Sequence, residues 1–130
     1  MRLFYALPLL LLCISCYEVE RNCADFKTGT FEFEAISGTE LFTTRIIRND
    51  SIEIEYFKDQ VDTAEVRWIN DCEYILKKLH PKNRAERKAI HIKILTTDGS
   101  QYNFEFNEVG QSIKRKATAR KLSSKSEVDK

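Results

Sequence analysis

Four cysteines and two histidines are the residues of this 130-residue chain best suited to metal or nucleophile chemistry. Their spacing supports neither. Zinc sites need close ligand pairs such as C-x-x-C or H-x-x-x-H, and Cys23, Cys72, His80 and His91 form none, so no metal and no cofactor are expected. His80 precedes a proline in a loop, and His91 alternates with apolar neighbours beside Lys93, which places both on a solvated surface. No G-x-S-x-G, H-E-x-x-H or P-loop is present. No catalytic residue is expected, and the chain reads as non-enzymatic. Glu32, Glu34, Glu53, Glu55, Glu65 and Glu105 alternate with apolar residues, as the outer face of a half-buried sheet does. The basic run Lys114-Arg115-Lys116, Arg120-Lys121 and Lys125 has two readings. One is contact with lipid headgroups or an acidic glycan; the other is a charged edge strand that resists aggregation.

The elements that must position these residues begin after the N-terminus. Met1-Arg2 is a short positive region, and Leu3 to Leu12 is an apolar run broken only by Pro8. A bilayer span needs about twenty apolar residues, so this run reads as the core of a signal peptide. Next comes Cys13-Ile14-Ser15-Cys16. It resembles a bacterial lipobox, with Ser15 before the lipid-attachment cysteine, Cys16, although Cys13 stands where leucine is usual. An ordinary cleaved signal peptide with no anchor is the alternative. The resemblance implies an exported protein anchored in the outer membrane. The expected divisions are a signal peptide at 1–15, an anchor linker at 16–27, one β-domain at 28–122 and a polar tail at 123–130. Basic residues number 21 and acidic residues 20, and removal of Arg2 with the signal leaves 20 of each. A neutral mature chain has no general attraction to nucleic acid.

Cys23 and Cys72 remain once Cys16 is lipidated. In an oxidising compartment they are expected to form a disulfide, with two separate thiols as the alternative.

From residue 28 onward the apolar residues recur with period two, the strand signal. Eight strands are expected, at 28–36, 41–48, 51–57, 61–69, 72–79, 89–96, 100–108 and 111–121. Register follows from requiring inward residues to face one another. A two-residue turn at Gly38-Thr39 pairs Phe31 with Ile46 and Ala35 with Phe42. Three-residue loops are expected at 48–50, 58–60, 69–71 and 97–99, the third pairing Trp68 with Cys72 and the fourth pairing Ile92 with Phe104. A two-residue turn at Val109-Gly110 pairs Tyr102 with Ala117. The expected fold is an all-β, eight-stranded antiparallel meander closing into a small lipocalin-like barrel or curled sheet, with a β-sandwich as the alternative. Phe31, Phe33, Phe42, Tyr56, Trp68, Tyr74, Tyr102, Phe104 and Phe106 should fill it, with Trp68 and Tyr74 as core anchors. The Cys23 and Cys72 end should lie near the membrane, and the long loop 80–88 should point away.

The lipobox, the entry Cys-Ala-Asp-Phe-Lys-Thr-Gly-Thr-Phe, the segment Val-Arg-Trp-Ile-Asn-Asp-Cys-Glu-Tyr and Ile-Leu-Thr-Thr-Asp-Gly-Ser together resemble an uncharacterised family of small Bacteroidota lipoproteins. Chains of this look sometimes bear the label of a DNA topoisomerase IV subunit. The residues contradict that label, since such a subunit needs several hundred residues and a basic groove for DNA. The acidic stretch Tyr17-Glu18-Val19-Glu20 resembles the surface-export signals of such lipoproteins. Asp50-Ser51-Ile52 and Asp62-Thr63-Ala64 resemble their O-glycosylation triplets, which makes Ser51 and Thr63 candidate glycosylation sites. Two functions follow as expectations. One is an envelope lipoprotein that presents a surface, such as loop 80–88, to a protein or glycan. The other is a lipocalin-like carrier of a small apolar ligand, which needs an interior cavity above about 300 Å³.

Overall fold

The computed structural model describes Cys16 and residues 18–125, with the side chains of 35–37 left out of the description. The expected signal peptide, Cys13, Tyr17 and residues 126–130 lie outside the described residues. Eight strands form a closed antiparallel barrel in simple sequence order: β1 (Gly29–Ser37), β2 (Glu40–Arg48), β3 (Ile52–Phe57), β4 (Gln60–Asn70), β5 (Glu73–Lys78), β6 (Ile90–Asp98), β7 (Gln101–Glu108) and β8 (Arg115–Ser123). The barrel closes where β1 meets β8, pairing Glu32 with Arg120 and Phe33 with Ala119. Closure leaves no free edge. The basic run on β8 therefore does not protect one, and Arg120 instead reaches Glu32 at 3.2 Å while Lys114 reaches Glu105 at 3.4 Å.

The β1–β2 register matches the sequence reading, with Phe31 opposite Ile46 and Ala35 opposite Phe42. The other hairpins differ. β4 and β5 pair Trp68 with Tyr74 and Val66 with Leu76, not Trp68 with Cys72, because β4 runs on to Asn70 and absorbs one residue in a bulge. A second bulge, at Leu95, brings Ile92 opposite Phe106 and Ile94 opposite Phe104. The extra residue of a bulge steps the alternation of its strand by one, so beyond Leu95 it is Thr97, not Thr96, that is buried, opposite Tyr102. The loop after β7 is longer than two residues, so Tyr102 meets Ala119 and Phe104 meets Ala117. Lys58-Asp59 is a two-residue turn with Lys58 at φ 53°, and Phe57 pairs with Gln60.

The connection between β2 and β3 carries the largest correction. Asn49 Oδ1 accepts hydrogen bonds from the N–H groups of Ser51 at 2.9 Å and Ile52 at 2.8 Å. This side-chain turn sets Arg48 opposite Glu53 and Ile46 opposite Glu55. Every residue of β3 is thereby turned over. Glu53 and Glu55 point into the barrel, while Tyr56 pairs with Arg45 and Val61 on the outside. Ile54 is buried too, but on the outer surface between Ile47 and Thr63, apart from the interior cluster.

One end of the barrel is plugged. The chain before β1 forms a 3-10 turn at Cys23–Phe26 whose Cys23 and Phe26 are buried in the core. Phe26 packs on Tyr102, ring centroids 5.0 Å apart, and on Phe31 at 6.5 Å. The Cys23–Cys72 disulfide, with Cα atoms 5.3 Å apart, ties this plug to the β4–β5 turn. Upstream, Thr97 N–H donates to the Glu20 carbonyl at 2.8 Å, and Asn22 N–H donates to Thr97 Oγ1 at 2.8 Å. The turns after β2, β4 and β6 share this end; those after β1, β3, β5 and β7 surround the other.

Candidate functional site

The interior divides into a charged floor and an aromatic chamber. At the floor, Arg48 is wholly buried. Nη1 donates to Glu53 Oε2 at 3.0 Å and to Tyr74 Oη at 2.5 Å, and Nη2 donates to the Phe26 carbonyl at 3.0 Å and to Tyr102 Oη at 3.2 Å. The guanidinium also lies 4.4 Å from the Phe31 ring centroid and 4.9 Å from that of Tyr74. Burial opposes this charge, but the Tyr74, Tyr102 and Glu53 oxygens more than offset it and hold Arg48 protonated. Burial pushes the Glu53 carboxyl above the usual carboxylate range, and Arg48 opposes that push without cancelling it. Burial likewise raises both tyrosines, so each stays a neutral phenol. The floor is a crosslink between plug, β2, β3, β5 and β7.

Above the floor lies a cavity of about 210 Å³ lined by Phe33, Ile46, Leu76, Ile92, Phe104 and Phe106, with Glu53 and Glu55 on one wall. A second space of about 340 Å³ shares Glu53, Glu55, Leu76 and Ile90 with it and reaches Asp62, Lys78 and the loop between β5 and β6. The second space alone exceeds the lower bound of about 300 Å³ for small-molecule sites, and the inner chamber alone falls short of it. The mouth therefore opens at the end opposite the disulfide.

The loop that flanks the mouth is tied down. Glu86 accepts from the Lys82 N–H at 2.6 Å and from Lys78 Nζ at 3.1 Å, and Asn83 Oδ1 accepts from the Glu86 N–H at 2.9 Å. Lys88 reaches Glu108 at 3.5 Å. Lys78 also reaches Asp62 at 3.4 Å. Burial works against the Lys78 ammonium, but Glu86 and Asp62 together hold it above its ordinary range. The Glu55 side chain makes no hydrogen bond among the described residues, and burial, then the neighbouring Asp62, pushes its carboxyl up while Lys78 pulls it down.

The expected site residues are distributed as follows. Cys16 is exposed, and Cys23 and Cys72 are joined at the plugged end. Tyr74 is a core residue that also forms the floor; Trp68 is half-buried at the core's edge, 4.5 Å from Tyr74 by ring centroids and 5.1 Å from Lys27 Nζ. Ser51 is exposed in the β2–β3 turn, and Thr63 is half-buried on the outside of β4. His80 is exposed, and His91 Nε2 lies 3.1 Å from Glu73. Among the described residues, no cluster of histidine, cysteine and carboxylate side chains could hold a metal ion. The residues missed from sequence are Arg48, which reads there as a loop residue, and Glu53 and Glu55, which read as outward. Counting by two from Ile46 would have found Arg48 on the inner face.

In comparisons with known proteins, no family model, no curated protein and no solved structure matches the chain.

Proposed function

We propose that this is a non-enzymatic, lipid-anchored envelope protein that holds a small amphipathic ligand inside its barrel. The observation that carries this reading is the space above Glu53, lined by aromatic and aliphatic side chains and continuous in its lining with residues of the β5–β6 loop at the end away from the plug. The lipobox-like Cys13–Cys16 supports export and a lipid on Cys16, and an anchor there would leave the mouth facing away from the membrane. The ordered loop 80–88, expected to present itself to a partner, serves here as the chamber's rim.

Binding is tested with N-phenyl-1-naphthylamine, a neutral apolar dye whose fluorescence rises on leaving water. One dye should bind per chain, saturably, and Ile90→Trp, which fills the junction of the two spaces, should abolish the rise. Unsaturable dye uptake, or equal uptake by Ile90→Trp, leaves a surface-presenting envelope module as the function. Intact mass of the protein from native membranes tests the lipid on Cys16 and any sugar on Ser51 or Thr63.

A further inference from the structure

We infer that the chamber is built for a monocationic amphiphile, an organic amine whose ammonium meets Glu55 and whose apolar body lies among Phe33, Phe104 and Phe106. This rests on the binding function proposed above and adds the charge of the ligand. Charge balance comes first. Arg48 is matched by Glu53 at the floor, Lys88 by Glu108 at the rim, and Lys78 is held by Asp62 and Glu86 and acts on Glu55 only through its field. Glu55 is left without an ion pair or side-chain hydrogen bond among the described residues, its carboxylate lining the cavity.

Register makes this arrangement unfavourable in the empty barrel. Glu55 and Asp62 stand directly opposite one another on β3 and β4, where like charges destabilise a sheet. Lys78, 3.4 Å from Asp62, offsets part of that repulsion, and a ligand cation beside Glu55 would remove more of it. Glu53 supplies a second acceptor. It is only 3% exposed, lines both spaces, and is held by Arg48 through Oε2 alone, leaving Oε1 for a donor from the chamber. Across the barrel from the carboxylates of β3, Phe104 and Phe106 of β7, ring centroids 5.9 Å apart, offer an apolar wall. At about 30 Å³ per water, the 210 Å³ chamber holds about seven waters' volume, which suits an arylalkylamine.

The test compares 2-phenylethylammonium, 3-phenylpropanol and 3-phenylpropanoate by calorimetry on the full chain, alongside the neutral dye. The ammonium should bind at least tenfold tighter than the alcohol, and the carboxylate weakest. Glu55→Gln should weaken the ammonium about tenfold, as expected for one hydrogen bond to a charged group, and change the affinity of the neutral dye far less. Asp62→Asn, further from the chamber, should weaken it less. Dye binding with no preference for the ammonium, or equal losses for dye and ammonium in Glu55→Gln, overturns the charge assignment while sparing the binding function. Failure of dye and ammonium alike overturns both.

Discussion

Arg48 and Glu53 stand directly opposite one another on β2 and β3, joined at 3.0 Å with side chains 0% and 4% exposed. Such a pair is a poor source of net stability, because both charges lose their water. Its value lies in what one partner does to the other. Arg48→Met leaves Glu53 buried without its counter-charge and should cost about 3–5 kcal/mol. Arg48→Met with Glu53→Leu should recover part of that loss. Urea unfolding of the three proteins measures both, and a double variant no better than the single one refutes the pairing.

The disulfide closes a segment with a sequence separation of 49 residues. On chain-entropy grounds it should contribute about 4 kcal/mol. Cys23→Ser with Cys72→Ser should lower the denaturation midpoint accordingly. It should also speed hydrogen exchange at the amides of β6 that face residues 20–22, while β2 and β3 change least.

Glu55 gives a pH dependence whose sign is fixed. Its folded carboxyl titrates above the ordinary value of 4.5, mainly through burial and then Asp62, with Lys78 opposing. The folded state thus binds that proton more tightly than the unfolded chain, and stability falls as pH rises from about the ordinary value through the raised one. Glu55→Gln should therefore stabilise the protein at pH 7, by roughly 0.5 kcal/mol or about 2–4 °C in Tm. Below pH ~4 the difference should vanish. Thermal melts at both pH values check it.

Gly29 begins β1 at φ +137°, and a Cβ there would meet the Ser123 carbonyl oxygen at 2.7 Å. Gly29→Ala should destabilise the β1–β8 seam by about 1–3 kcal/mol. Gly38→Ala, whose Cβ meets nothing within 4 Å, should cost less despite its φ of +67°. Paired chemical denaturation curves separate the two.

Much of the barrel was legible because period-two patterning and short turns leave few ways to arrange eight strands. The Gly38 turn, both partners of the disulfide and the aromatic filling of β1 and β7 follow from local signals. β3 did not. Its two faces, Ile52-Ile54-Tyr56 and Glu53-Glu55, differ in polarity in the ordinary sense, so alternation pointed the isoleucines inward. The deciding interactions are the Asn49 turn, which sets parity, and the Arg48 contacts with Glu53, Tyr74, Tyr102 and Phe26. Those partners are spread across the chain, and no local pattern encodes their meeting. The chamber was misread for the same reason, since its polar wall is the face that alternation assigned to solvent. Bulges at Ile69 and Leu95 slid two registers, the second turning Thr97 inward in place of Thr96, while Ile92, Ile94, Phe104 and Phe106 kept their face and the core stayed intact.

The plug has a mechanical consequence. Tension applied to the chain near Cys16 meets the hydrogen bonds of Glu20 and Asn22 with Thr97 first, and Cys23 next. There the force crosses a covalent bond into the β4–β5 turn and is spread over the barrel wall. Phe26 and the Arg48 floor sit downstream of that bond and stay unloaded. A pull on the N-terminal segment can peel residues 20–22 from β6 without uncorking the interior.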